Sequence, residues 1–522
     1  MNLLTDPLIP VFTSQGREYR SLPGLLAGLG DDTVQRIDGL QRHQEDAFHV
    51  FLCYLAGAVL ARDGDWNPVR KETFWRDGLR LLAGEAGDDA WSLVVDDLSK
   101  PAFMQPPQIS ILRDEVKWSS FADAADQIDA TELAKNHDVK KGRAINSTPY
   151  EWMYALVSGN FNTGYSKGGR EGFYFPSIKA QKNRIGRVYV YPIAGNSVAS
   201  SWRLNVSLLN KWQEKCADSP LFDTNGLVLT WLRAWDREPF KTGEISPFFV
   251  ETTRMVRLQL LCEGCIAAQV RPTKSEPFMA QKELQGRVPD PFIPTDSDQK
   301  AISAKSGRWP VEQIYRVIFQ KEGVSWPFLE FFLGAGKGGE DNRISFGSMA
   351  RSKNGTEGYV TQVIHIPHQK MLLFRSRSQR EQIADLGKEA LEAAKRMQSN
   401  VLYPALVKLV ESAPRKERKP RDAEKLWINR VTKLYDSQWG DTYFQWLMNI
   451  AEPLEKNKER LRWVLILRDI AQHCLDRAED ELPERSARHW RARALARSTF
   501  NNYLTSAKNF PDLKEAHHEH IA

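Results

Sequence analysis

What the chain lacks narrows the possibilities first. No run of about 18 apolar residues occurs, the length a membrane-spanning helix requires, and the densest candidate, 461–470, is broken by Arg462, Arg468 and Asp469. Cysteine is scarce: Cys53, Cys216, Cys262, Cys265 and Cys474 are odd in number and scattered over 522 residues, which excludes a disulfide framework. Cys262 and Cys265 form one C-x-x-C without a second pair nearby, so structural thiols are expected there rather than zinc, and no cofactor is implied. The opening ten residues show no basic stretch followed by an apolar one, and the expectation is a cytoplasmic protein without a membrane partner. An excess of charge is missing too. With 72 basic against 66 acidic residues the net charge is +6, so any footprint for a polyanion must be local.

What is present is a change of character along the chain. Up to about residue 374, helical periodicity, short strand-like alternations and glycine- or proline-rich excursions alternate; beyond it glycine almost vanishes and helical patterns run to the end. The fold class expected is α+β, a large mixed domain over 1–374 followed by an antiparallel helical bundle of about four helices over 375–522. Residues 2–12, carrying Pro7 and Pro10, read as an extended edge segment, and 33–40 and 48–60 as helical. Further helices are expected over 72–86 and 89–98, and over 150–157 with Ser147 or Thr148 as cap and Pro149 in the first position. Residues 188–193 alternate as a strand; helical spacing is the better fit over 245–262. In the bundle, helices are expected at 383–397, 427–435, 443–450, 461–475 and 486–504. Phe103 and Met104 sit in a proline frame, as a plug for the core or for an interface.

One stretch has little use in a packed core. Residues 159–187 hold six glycines, five aromatics and six Lys or Arg against the single acid Glu171. Glycine lets backbone approach a ligand closely, cations neutralise phosphates and aromatics stack on bases. Charge is densest in the 179–187 half, at Lys179, Lys182, Arg184 and Arg187. Comparable loops occur at 135–143, at 271–296 and around Asn354-Gly355, a strong hairpin signal. Two basic runs decorate the bundle, one through Arg415, Lys416 and Arg418 and one through Arg488 and Arg491. Catalytic constellations are poor by comparison. The sequence GAGKGG has no Ser or Thr after its lysine, and Asn136-His137-Asp138 with Asn146 lacks the further ligands of a metal-dependent nuclease. A nuclease centred on His137, or a purely structural assembly subunit, are the alternatives to a non-catalytic binding protein.

Several of these stretches, in this order, resemble the large subunit of the type I-E CRISPR surveillance complex, the CasA family of Cascade: NLLTDPLIPV (2–11), AFMQPP (102–107), KNHDVKKGR (135–143), ISPFFVETTRMVRL (245–258), GRVPDPFIPTD (286–296) and NGTEGY (354–359). The resemblance implies a non-enzymatic subunit that recognises the protospacer-adjacent motif of double-stranded target DNA through the minor groove. It also implies a part in strand separation and R-loop formation, and recruitment of a helicase-nuclease. By position, the DNA-motif loop falls at Lys179, Asn183, Arg184, Gly186 and Arg187, a reaching lysine at Lys274 or Lys282, and a strand-separating wedge at Asn354, Gly355 and Thr356. Asn136, His137, Lys140, Lys141 and Arg143 would meet the guide RNA 5′ end or another Cascade subunit, and the basic bundle faces would hold DNA strands. The family commonly has tryptophan where Leu8 stands, and 179–187 is richer in Lys and Arg than is usual for its loop.

Overall fold

The structure, a computed structural model, describes residues 1–108, 120–130, 147–162, 177–180, 187–234, 238–261, 264–270, 278–284, 286–302, 309–335, 342–352, 355–411, 420–451, 453–481, 487–511 and 513. The chain forms two compact units, Met1–His368 and Gln369–Ala522.

The first unit opens with strands β1 (Ile9–Thr13) and β2 (Gly16–Arg20), helix α1 (Leu22–Gly30), the two-residue strand β3 (Arg36–Ile37) and helices α2 (Arg42–Asp63) and α3 (Glu72–Ala83). There follow β4 (Ser120–Ala122), α4 (Pro149–Phe161), β5 (Val188–Ile193), α5 (Val198–Cys216), β6 (Leu227–Leu229), β7 (Ile245–Val250), β8 (Val256–Leu260) and β9 (Ile266–Val270). The unit closes with α6 (Gln281–Leu284), α7 (Val311–Phe319), α8 (Pro327–Ala335) and the long strands β10 (Asn342–Ser352) and β11 (Gly355–Ile366). Its small sheets have the strand orders β2-β1-β3, β11-β10-β5 and β4-β9-β8, with β6 and β7 as a parallel pair.

Helix α2 is the axis of this unit. It is buried from His43 to Leu60 except at Glu45, as expected of a helix packed on all sides. The Gln41 backbone N–H donates to the Gln44 side chain at 2.8 Å to start it, and Gly64, at φ +84°, ends it in the left-handed conformation that glycine tolerates. Helix α4 starts as its sequence predicts, with Thr148 as cap, Pro149 next and the Glu151 carboxylate accepting from the Thr148 N–H at 2.6 Å. The two helices pack together, and Phe51 of α2 sits edge-on to both Phe103 and Phe161. Phe103 and Met104 are therefore core residues, Phe103 also packing on Trp91 and Trp231.

Four local expectations are corrected. Where a helix over 245–262 was expected, Ile245–Val250 and Val256–Leu260 are the strands β7 and β8: Ile245–Val250 is buried on both faces, and such a continuous apolar run carries no period of its own. Residues 34–40 are extended around β3, with Gly39 at φ +76° before the helix begins at Arg42. A 3-10 turn, Gly84–Trp91, stands where a helix over 89–98 was expected, because the backbone there pairs with the N-terminus through Leu3 N–H to Trp91 O and Leu93 N–H to Met1 O. Strand β1 is central rather than an edge, with β2 on one side and β3 pairing at Val11 and Phe12 on the other.

The described part of the second unit is helical: α9 (His368–Arg375), α10 (Arg377–Arg396), α11 (Tyr403–Glu411), α12 (Asp422–Met448), α13 (Lys456–Asp480) and α14 (Ala487–Leu504). A π turn, Met397–Leu402, joins α10 to α11, so Pro404 enters where the regular hydrogen-bond ladder is already interrupted. The two helices expected at 427–435 and 443–450 are one, α12; no proline divides them, and Gly440 lies within the helix. Hydrogen bonds tie α10 to its neighbours: Tyr435 and Tyr443 hydroxyls of α12 donate to Ala394 and Gly387 carbonyls at 3.2 and 2.9 Å, and the Trp463 indole of α13 donates to Ala390 O at 2.9 Å. The chain is thus α+β with a helical C-terminal region, as its sequence predicts.

Candidate nucleic-acid interface

The elements that flank residues 181–186 converge on two buried carboxylates. On the N-terminal side, Glu251, just past β7, accepts from the Ser177 hydroxyl at 2.6 Å and the Ile178 N–H at 2.7 Å. Lys179 Nζ reaches Asp290 at 2.9 Å, donates to Phe249 O at 3.2 Å and lies 4.4 and 3.9 Å from the ring centroids of Tyr54 and Phe249. On the C-terminal side, Arg187 Nη2 pairs with the same Asp290 oxygen at 2.7 Å and also donates to the Tyr54 hydroxyl oxygen. The Tyr54 hydroxyl in turn donates to Asp290. Asp290 lies between Pro289 and Pro291, whose rings restrict the backbone that carries the carboxylate.

All of these charges are out of solvent: Lys179 is 1% and Arg187 and Asp290 each 2% exposed. Burial alone would raise the Asp290 carboxyl, but Arg187, Lys179 and the Tyr54 hydroxyl outweigh it and hold the group below the ordinary range. Burial likewise draws Lys179 down to about 8 against the pull of Asp290, and raises Glu251 against its hydrogen bonds. Such a cluster fixes backbone; it offers no cation to a ligand. The expectation that Lys179 and Arg187 touch DNA is therefore corrected: a compact apolar setting with an acid between them has drawn both inward. Asn183, Arg184 and Gly186 of the same loop lie outside the described residues.

The other expected pieces are placed only in part. Lys274 lies outside the described residues, as do Asn136, His137, Lys140, Lys141, Arg143, Asn354, Arg415, Lys416 and Arg418. Lys282 is on the short helix α6. Gly355 and Thr356 begin β11, paired with Ser352 and Arg351 of β10. The β10–β11 ladder continues through residues 349–352 after the last pairing with β5, at Ser348–Val188, so roughly 13 Å of hairpin runs past that third strand. On α14, Arg491 is exposed beside Trp490, itself 61% exposed, whereas Arg493 and Arg497 are bound to Glu479 through its carbonyl at 2.8 Å and its carboxylate at 2.8 Å. Arg488 falls on the same helix.

The residues that sequence reasoning passed over are Tyr54, Glu251 and Asp290. Asp290 had a visible signal, an acid framed by two prolines in a stretch that also bears Lys and Arg; Tyr54 and Glu251 had none. Among the described residues no group of three or more His, Cys, Asp or Glu side chains could hold a metal, and no helix is long and apolar enough to cross a membrane.

No protein-family model matches the sequence, and no curated protein does either. Solved structures do. The crystal structure of CasA from Thermus thermophilus superposes with a TM-score of 0.65 at 15% identity, covering 97% of this chain and 99% of that one. The chain has the CasA fold. Cse1, as CasA is also called, from Thermobifida fusca gives a TM-score of 0.63 at 13% identity with 98% of each chain covered, and the CRISPR-associated Cse1 of Acidimicrobium ferrooxidans gives 0.62 at 14%, again over 98% of each. The CasA fold therefore accounts for both units of the chain, and the buried clamp on Asp290 lies within its first unit.

Proposed function

We propose that the chain is the large, non-catalytic subunit of a type I-E CRISPR surveillance complex of the Cascade kind, acting in defence against foreign DNA. The observation that carries this reading is the CasA fold running the length of both chains compared, with nothing substantial left over on either side. In this role the subunit reads a short motif in double-stranded DNA from the minor groove. That groove offers a degenerate donor and acceptor pattern, which suits a few loop contacts that accept a small set of motifs. The loop at 181–186, with Asn183, Arg184 and Gly186, and one lysine, Lys274 or Lys282, supply those contacts. The end of the β10–β11 hairpin, at Asn354, Gly355 and Thr356, enters the first base step as a wedge. Opening that step costs a few kcal/mol, offset by backbone contacts and by guide pairing as the R-loop grows.

Arg491 with Trp490, and the run at Arg415, Lys416 and Arg418, contact the DNA backbone; residues 136–143 meet the guide RNA 5′ end or a neighbouring subunit. A helicase-nuclease recruited by the assembled complex performs cleavage, and the subunit works in the cytoplasm. The direct test is assembly: tagged chain co-expressed with the remaining Cascade subunits and a guide RNA should co-purify with all of them in fixed ratio. Recovery of the chain alone would overturn this reading. DNA cleavage by the isolated chain with divalent metal, abolished by His137→Ala, would replace it with the nuclease.

A further inference from the structure

Connections between strands normally run over the surface, where water satisfies their backbone. The one between β7 and β8 is buried instead. Its residues Glu251, Thr252, Thr253 and Arg254 are all polar, and none is more than 4% exposed. The Thr252 N–H donates to the Thr230 hydroxyl oxygen at 2.9 Å, which ties the connection to the 3-10 turn Thr230–Leu232.

The other three residues hold their surroundings. The Thr253 and Arg254 N–H groups donate to Asn160 Oδ1, near the end of α4, at 2.7 and 3.1 Å, and Asn160 Nδ2 donates to Leu156 O at 2.8 Å. Arg254 Nη1 donates to Ile128 O. It crosses α4 so closely that a Cβ on Gly159 would stand 2.9 Å from Nη1 and 2.8 Å from Ile128 O. Glu251 accepts from the Ser177 hydroxyl and the Ile178 N–H, and Ile178 O accepts from the Gly286 N–H at 2.8 Å.

These partners share a position in the chain. Ile128 stands shortly before 131–146 and Asn160 before 163–176; Ser177 and Ile178 stand between 163–176 and 181–186; Gly286 follows the stretch that bears Lys274 and Lys282. One short connection thus binds the roots of all these glycine-rich or basic segments. A buried polar cluster with its bonds made resists displacement, because each group moved would be left desolvated and unpaired.

We propose that the buried 251–254 connection positions the motif-reading loop, with Glu251 as the positioning residue that sets where 181–186 leaves the core; this rests on the motif reading proposed above. Glu251 itself touches no DNA. Hydrogen bonds to base edges fail when donor and acceptor drift from about 3 to about 4 Å, whereas contacts to phosphates carry no sequence information. Displacing the root of the loop therefore removes the choice between duplexes and leaves general affinity in place.

The test is equilibrium binding of the assembled complex, carrying its guide RNA, to duplexes with and without the motif. Glu251→Ala should lower the preference about tenfold or more while affinity for the motif-free duplex stays within about twofold. Glu251→Gln, which keeps one acceptor oxygen, should restore the preference to within about threefold of wild type. Ser177→Ala, which removes one of the two bonds to Glu251, should lower it about threefold, and it decides the question if Glu251→Ala fails to assemble. Tyr435→Phe, which deletes a buried hydroxyl in the second unit, should leave the preference unchanged. A wild-type preference kept in the assembled Glu251→Ala complex, equal weakening on both duplexes, or the same loss in Tyr435→Phe would overturn the positioning role alone. Absence of any preference in the wild type would overturn motif reading and the positioning role together.

Discussion

Lys179 and Arg187 stand on either side of residues 180–186 and bind the same carboxylate oxygen of Asp290, at 2.9 and 2.7 Å, with none of the three side chains more than 2% exposed. One buried acid thereby fixes both ends of the loop. Removing it leaves two cations desolvated and unpaired, whereas removing Lys179 leaves Asp290 with Arg187 and the Tyr54 hydroxyl. Asp290→Asn should therefore lower unfolding stability by about 3–5 kcal/mol, and Lys179→Met by less than half as much. Urea unfolding followed by tryptophan fluorescence checks the order; equal costs would show that Asp290 does not hold both partners.

Acid sensitivity follows from His49. Burial between Cys53, Asn205 and Tyr191 keeps its folded-state value at about 4, against about 6.5 in the unfolded chain. Between those values the unfolded state binds a proton that the folded state does not, so stability is full above about pH 6.5 and falls as the pH drops toward 4. The loss is on the order of 3 kcal/mol. His49→Gln should flatten this part of the stability profile; an unchanged slope would assign the acid loss elsewhere.

Strand β10 passes so close to α2 at Gly347 that an added Cβ would strike the Asp46 carboxylate and the Tyr359 hydroxyl. Asp46 already accepts from the Tyr191 hydroxyl at 2.6 Å and from Tyr359, so it has little freedom to retreat. Gly347→Ala should cost about 1–3 kcal/mol through overpacking and disturbance of the part-buried Asp46–Tyr359 pair. A thermal midpoint within error of wild type would contradict the close approach.

Helix starts and one short strand were legible where local chemistry decides them. Thr148-Pro149 with Glu151 specifies the start of α4 without help from the rest of the chain, and residues 188–193, short and rich in Val and Tyr, form the expected strand β5 although it too is buried on both faces. Ile245–Val250 was not legible as a strand, because burial on both faces erases the period that distinguishes strand from helix. The candidate site fared similarly. A basic residue near a glycine-rich stretch looks the same in sequence whether it faces DNA or a buried acid. What separates the two for Lys179 and Arg187 is Asp290, far along the chain and brought close only by the fold. The proline frame around Asp290 hinted at a fixed carboxylate, but not at its partners.

Motif reading by the assembled complex is the central claim. The measurement is equilibrium binding of the complete complex, carrying its guide RNA, to duplexes with and without the motif, comparing wild type with Arg184→Ala and Lys274→Ala combined. The prediction is a preference of at least about tenfold for the motif-bearing duplex, lost in the double variant although all subunits and the guide still co-purify. Equal affinity of wild type for both duplexes, or an unaltered preference in the double variant, would contradict it.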